Sequence, residues 1–375
     1  MKHKLLPLVV LLLIGINSLS SHFAGGNIYY DCLSNGQYQF WAEITLDCGG
    51  ASNPASINIS GTNTCGIATQ NITLTLVGSL TQNVSQVCFR DSLLTRCVGS
   101  GNTLQGRRRY IYSGTATIAP CNTWTFGWGS CCRNGGAGGV VNIPAGSIYL
   151  QTTMNSVTDS CNNSVRYTGV QNPYVCINSN ASYNFGAVDP DGDSLAYELT
   201  APLTAAGTPT TYNAGYSAQS PINGIVLDSM TGTITFLPNA LGSFVVAVKV
   251  SEFDSLGRLV GTTMRDIQIV VYNCAANVPP NTDSTSLYNL VGQGTITGPK
   301  TMDVCEGDTF CVSFDVIDSN IMDTLSLFST NITSILPGAT LSYTGINPIV
   351  GTLCWTVPSN APGSNSVSLT ADDGT

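Results

Sequence analysis

The sequence predicts an all-β protein: tandem β-sandwiches behind a disulfide-rich N-terminal β domain. Three observations predict it. Short alternating or β-branched runs recur along the chain, as in NIYYDC, YQFWAEITLDC, ITLTLVG, YIYSGTATI and SIYLQTTM, divided by turn clusters such as SNGQ, GSGN and GGAGG. Helical periodicity is almost absent, so the pattern is that of many short strands. Fourteen cysteines fit small β domains held by covalent bridges.

The chain opens MKHKLLPLVVLLLIGINSLSS. Lys2 and Lys4 give a basic start, and the apolar run from Leu5 to Ile16 is too short to span a bilayer as a helix. Ser18 and Ser20 suit cleavage after Ser20, so residues 1–20 read as a secretory signal peptide. No longer apolar run follows, and the mature chain is expected to be exported without a transmembrane segment. All the cysteines lie downstream, and in an exported protein they are expected to form disulfides.

Charge narrows the function classes. Charged residues make up 9% of the chain and the formal charge is -9; removing Lys2 and Lys4 with the signal makes it -11. An acidic, lysine-poor surface argues against nucleic acid as a partner. It suits divalent cations better. The triplet Arg107–Arg109 alternates faces in a strand, so it is expected to be solvated or ion-paired rather than to build one anion site. His22 is the one histidine left after cleavage. Histidine-based triads and imidazole zinc sites are therefore hard to build. Carboxylate-only chemistry stays open.

Residues 21–172 form the N-terminal domain. YDCLSNGQYQFWAEITLDC reads as a hairpin, with Asn35-Gly36 at its turn. Phe40, Ala42, Ile44 and Leu46 share one face; Tyr38, Gln39, Glu43 and Asp47 form no apolar face, so one side is expected to be solvated. Beyond it come two copies of one module, 173–275 and 287–375, joined by the polar, proline-bearing linker 276–286. Cys176 to Phe185 and Cys305 to Phe314 are both nine residues, and Asp189 and Asp318 each fall thirteen residues after their cysteine. Asp254 and Asp373 close the later halves. Similarity of this length marks repeated whole domains. The second copy lacks a counterpart to MRDIQIVVYNC, so it is expected to be truncated at its C-terminal strand, in a fragment of a longer protein.

Among the cysteines, the adjacent Cys131 and Cys132 in WGSCCRNGG would point to opposite faces of a strand. They are expected to send two bridges to two different strands. Cys176 has two candidate partners, Cys161 across the boundary or Cys274 within its module. The repeat favours Cys274, and Cys305 would then need a cysteine beyond Thr375. Cys311 and Cys354 lie in matched inner strands and are the best pair. The remaining connectivity stays open. Zinc would need thiolates at C-x2-C spacing, and none occurs.

The loop VDPDGDSLAYEL carries the most specific functional signal. Asp189, Asp191 and Asp193 repel one another unless a cation sits between them, and Ca2+ takes six to eight oxygen ligands. Asp254, at the end of VAVKVSEFD, is placed to close the site from a neighbouring strand. The alternative is an ion-free Pro-Asp-Gly-Asp turn. In the second copy the loop degrades to IDSNIMDTL; Asp318 and Asp323 remain, and calcium is expected less there.

This loop, followed by LDSMTGTITFLP, resembles cadherin-like and related immunoglobulin-like modules of bacterial surface proteins. The resemblance implies a seven-strand sandwich that sometimes holds calcium at its ends. The stretches SHFAGGNIYYDCLSNGQYQFWAEITLDC, CNTWTFGWGSCCRN and NPYVCINSNASYNFGAVDPDGD resemble the start of large secreted proteins of the Bacteroidetes. Those carry PKD-like or cadherin-like repeats and often end in a gliding motility-associated domain read by type IX secretion, which would lie past Thr375. The implied role is structural or adhesive and non-catalytic, at the cell surface, with attachment through regions beyond Thr375. The implied partner is a glycan, a surface polymer or a cell-surface protein. Trp124 and Trp128 read either as core residues or as sugar-stacking platforms. The competing reading is a carbohydrate-binding or accessory region of a carboxylate-dependent glycan hydrolase. That chemistry needs two carboxyls about 5–10 Å apart across a cleft.

Overall fold

In a computed structural model, residues 22–374 are described, apart from 35, 51–52, 88, 100, 134–139, 170–171, 275–276, 281–285, 330–331 and 362–364. The expected signal peptide, Asn35 of the hairpin turn, Cys88 and most of the linker thus lie outside the described residues. The chain is all-β, a series of immunoglobulin-like sandwiches with a disulfide-rich β domain at the N-terminus.

Strands β1 (Phe23–Ser34) and β2 (Gln37–Asp47) form the predicted hairpin, with Ile28 opposite Ala42 and Tyr30 opposite Phe40. Gly36 supplies a positive φ at its turn. The N-terminal sheet continues through β3 (Ser56–Asn63), β4 (Gln70–Leu76), β5 (Arg107–Thr117), β6 (Trp124–Ser130) and β7 (Ile148–Met154), in the order β1-β2-β5-β4-β3-β6-β7. Alternate residues point inward and bury Tyr30, Tyr38, Phe40, Ile44, Leu74, Phe126 and Leu150. Phe40 and Phe126 meet with ring centroids 4.5 Å apart. Trp124 and Trp128 are also buried, so they are core residues and not a sugar platform.

The second sandwich follows. One sheet is made by β8 (Tyr174–Cys176), β10 (Ser194–Thr200), β13 (Gly242–Phe253) and β14 (Leu259–Tyr272). The other is made by β9 (Ala181–Asn184), β11 (Val226–Leu227) and β12 (Thr233–Phe236). Phe185, Ile234, Phe236, Val246, Val248, Ile267 and Ile269 fill the space between them.

Strand β14 joins the two units. One edge pairs with β13 from Leu259 to Val271. The other edge pairs in turn with β7 through Gly261–Thr263, with β1 through Arg265 and Asp266, and with β8 through Val270–Tyr272. Both free edges of the N-terminal sheet, β1 and β7, therefore end on one strand of the next module, and the pairing closes into a circuit. Backbones run so close here that a Cβ at Gly25 would lie 2.2 Å from the Asp266 carbonyl oxygen.

This junction corrects the expectation of a solvated side on β2. Glu43, Thr45 and Asp47 are buried at 6%, 0% and 4% exposure. Their face is covered, and its charges are paired. Arg107, itself fully buried, donates to Asp47 at 2.5 Å and to Gln268 of β14 at 3.1 Å. Arg109 pairs with Glu43. Arg133 grips Asp266 with two bonds of 2.7 and 2.8 Å. Arg265 donates to the carbonyls of Phe185 and Gly169 and lies 4.8 Å over the Tyr167 ring. The arginine triplet is thus ion-paired at Arg107 and Arg109, and Arg108 donates to the Cys97 carbonyl.

The third sandwich pairs β15 (Tyr288–Gly292), β16 (Thr309–Val316), β17 (Thr340–Gly345) and β18 (Ile349–Thr356) in the order β15-β16-β18-β17. Facing them, Ser326–Phe328 pairs with Thr370–Asp372. Phe310, Val312, Phe314, Leu327, Ile349 and Trp355 are buried between.

Among the described residues, five disulfides staple the chain. Cys176–Cys274, favoured by the repeat, and Cys311–Cys354, in matched inner strands, are both formed. Cys32–Cys161, Cys48–Cys97 and Cys65–Cys121 hold the N-terminal unit. The alternative Cys161–Cys176 is displaced because Cys161 lies beside Cys32. Each bridge restricts the unfolded chain by roughly 2–4 kcal/mol.

Replacing Asp266 with Ala leaves the Arg133 guanidinium buried without its partner. Urea unfolding should show a loss of about 3–5 kcal/mol. The double change Arg133→Met, Asp266→Leu should recover much of it. A loss below about 1 kcal/mol for Asp266→Ala would show that this pair does not hold the junction.

Candidate metal centre

Asp189 sits at the start of the acidic loop and is almost fully buried. Its Oδ1 accepts the backbone N–H groups of Asp191 at 2.8 Å and Asp193 at 3.1 Å, which fixes the turn; Gly192 takes a positive φ within it. Asp189 Oδ2 and Asp193 Oδ2 are buried and have no hydrogen-bond partner.

The other two predicted ligands have hydrogen-bond partners of their own. Asp191 accepts the Asn163 backbone N–H at 2.6 Å and its side-chain amide at 2.7 Å. Asp254 closes its own turn: Oδ1 accepts the N–H of Leu256 and Arg258, and Oδ2 accepts Arg258 Nε at 2.8 Å. Those bonds hold its carboxyl below the usual carboxylate range.

The residue the sequence reading passed over is Glu252. It is fully buried on β13. Its carboxylate accepts Asn162 Nδ2 at 3.0 Å, the Val165 N–H at 3.3 Å and the Thr263 hydroxyl at 3.4 Å. The signal was its register: Val248, Val250 and Glu252 alternate on the inward face. Burial pushes the Glu252 carboxyl up to about 8, with the Asp189 and Asp193 charges adding to the rise and Asn162 opposing it. Burial likewise pushes Asp189 up to about 6. The Asn162 Oδ1 atom is buried without a partner. Asp189, Asp193, Glu252 and Asn162 offer oxygen donors, which suit a hard cation rather than zinc, but among the described residues their carboxylates are not gathered within one coordination span.

The second copy of the loop, expected to be the poorer site, brings its carboxylates closer together. One oxygen each from Asp318, Asp323 and Asp373 lie within 4.8 Å of one another. Asp318 Oδ1 accepts the Asn320 N–H at 2.7 Å, while Asp318 Oδ2 and Asp323 Oδ2 are buried without partners. Asn277, from the linker, donates to Asp373 Oδ2 at 2.8 Å, and its own Oδ1 is left without a partner.

The adjacent cysteines differ from the expected pair of staples. β6 ends at Ser130, and Cys132 has a φ of 83°, so strand alternation no longer applies. Cys132 is a thiol, raised in pKa by its hydrogen bond with Cys131 and then by burial. That direction opposes a reactive thiolate. One open groove of about 180 Å³ is lined by Tyr216, Ser220, Asn223 and Asn239. It is smaller than the roughly 300–1,000 Å³ of usual ligand pockets.

No family model matches the chain, and no curated protein matches it. Solved structures align weakly, two of them as follows. One is the N-terminal eight Ig domains of Down syndrome cell adhesion molecule, at 8% identity and TM-score 0.16, over 93% of this chain and 42% of that one. The other is the I67–I69 fragment of the titin I-band, at 8% identity and TM-score 0.17, over 92% of this chain and 97% of that one. The chain thus spans about two fifths of the first structure. The fold assignment rests on the strand pairing itself.

The raised Glu252 carboxyl gives a pH dependence with a defined sign. Its folded value of about 8 exceeds its usual 4.5, so the folded state holds the proton more tightly. Its contribution is full below pH 4.5 and is lost as pH rises towards 8. In chelator, unfolding free energy should fall across that window. Glu252→Gln should flatten the fall; an unchanged slope in that variant would assign the titration to another group.

Proposed function

We propose that this protein is an extracellular, non-catalytic structural or adhesive element built from tandem sandwiches and stabilised by calcium. The observation that carries the reading is β14, which zips two modules into one hydrogen-bonded sheet. A joint of this kind transmits load through backbone hydrogen bonds along both edges of one strand. The disulfides among the described residues support an oxidising, extracytoplasmic setting. Among the described residues, no helix is long and apolar enough to cross a membrane. Calcium at the first acidic loop would be held by Asp189, Asp193 and Asn162, whose unpartnered oxygens support that assignment, with Glu252 as the nearby buried carboxyl. The partner class is a glycan, a surface polymer or a cell-surface protein. The resemblance of the N-terminal stretches to large Bacteroidetes surface proteins supports the same placement, with type IX export as the route.

Beads coated with the purified chain provide the test. They should be retained under flow on cells or on immobilised surface glycans, with no release of reducing ends from those glycans. Failure to be retained on any such surface would remove the adhesive role. Reducing-end release that disappears in Glu252→Gln would replace the reading with the hydrolase alternative.

A further inference from the structure

Three features at the junction between the second and third sandwiches converge on one place. Asp318, Asp323 and Asp373 each offer an oxygen within 4.8 Å of the others. Two ligands on opposite sides of a calcium ion, each at about 2.4 Å, are about 4.8 Å apart. The three therefore already stand within the span of one coordination sphere. Asp318 is 2% exposed, and its Oδ2 has no hydrogen-bond partner. A buried carboxylate oxygen without a donor is costly, and a cation removes that cost. Asp323 Oδ2 is in the same condition. The third feature is Asn277. Its amide nitrogen bonds Asp373, so the amide oxygen beside it, buried and unpartnered, sits at the rim of the cluster.

We propose that Asp318, Asp323 and Asp373, with Asn277 from the linker, form a site for a calcium-class divalent cation that fastens the linker to the third sandwich. The donors are all oxygen, and three carboxylates on loops suit the larger, more flexible coordination of Ca2+ over the strict octahedron of Mg2+. Burial, together with the charges of Asp373 and Asp323, raises the Asp318 carboxyl when no ion is bound, as crowded ligands awaiting a cation should be. The linker end is set by the second sandwich: the Asn277 N–H donates to the carbonyl of Cys274, which is bridged to Cys176. An ion here would thus tie that disulfide-held end to a loop of the next module. A second contact reaches the third module from just before the second: the Thr168 hydroxyl donates to the Ser366 carbonyl at 2.9 Å.

A looser parallel occurs one module earlier: Asn162 precedes the second sandwich, donates to Glu252 and has an unpartnered Oδ1, and Asp189 and Asp193 each keep one unpartnered oxygen. The third-module site stands on its own residues and does not depend on the Asp189 loop.

The test uses the purified full chain after chelation, with Ca2+ and Mg2+ titrated by calorimetry and the linker probed by limited proteolysis. Calcium should bind saturably and protect the 276–286 linker from cleavage. Asp318→Asn with Asp323→Asn should remove one equivalent of calcium and that protection. Asn277→Ala, which leaves the sandwich intact, should weaken the site by about 10–100-fold. Asp193→Asn should leave linker protection unchanged, which separates this site from the earlier loop. The proposal is overturned if the double variant, with the near-ultraviolet signal of Trp355 retained, binds as much calcium as the parent. It is overturned equally if calcium leaves linker cleavage unchanged, or if Mg2+ binds and Ca2+ does not.

Discussion

The strand from Leu259 to Tyr272 is the constraint on which the architecture rests. It must satisfy hydrogen bonds along both edges, with β13 on one side and β7, β1 and β8 in sequence on the other. A sheet edge left open is a template for unwanted pairing. Here the two edges of the N-terminal sheet are covered by a strand that the chain reaches only after building most of the second sandwich. The charged residues at the crossing, Arg265 and Asp266, can be buried because each finds its partners there. The N-terminal unit and the second sandwich therefore depend on each other for closure.

How much of this was legible follows from the range of each interaction. The β1–β2 hairpin and its apolar face were readable because alternation is local. The buried side of β2 was not: Glu43, Thr45 and Asp47 look like a wetted face, and what covers them lies far along the chain. The repeat was readable because its spacing is the same in the cysteines and aspartates, and it pointed to Cys176–Cys274, while the matched inner strands pointed to Cys311–Cys354. It could not show that Cys132 leaves the strand with a positive φ. In the acidic loops, counting carboxylates favoured the first copy. The deciding factor was whether each carboxylate had another partner. Asn163 occupies Asp191 and Arg258 occupies Asp254, whereas the sparser second copy keeps three oxygens together.

The acidic groups share a physical theme. In both modules a loop aspartate is buried, fixes its own turn with one oxygen and leaves the other without a donor. In both, an asparagine from the segment leading into the module approaches the acidic residue near the module's end. Such clusters cost stability when empty and charged. Protonation or a cation relieves them, so the ends of the modules, rather than their apolar cores, should respond most to solution conditions.

Native-state hydrogen exchange on the intact chain tests the central claim most directly. If β14 closes both units, the amides of β1, β7 and β14 should exchange through one common opening with the same free energy, and denaturant should lower all three together. Protection of β14 alongside β13, with β1 and β7 exchanging independently at a much lower free energy, would contradict the shared strand.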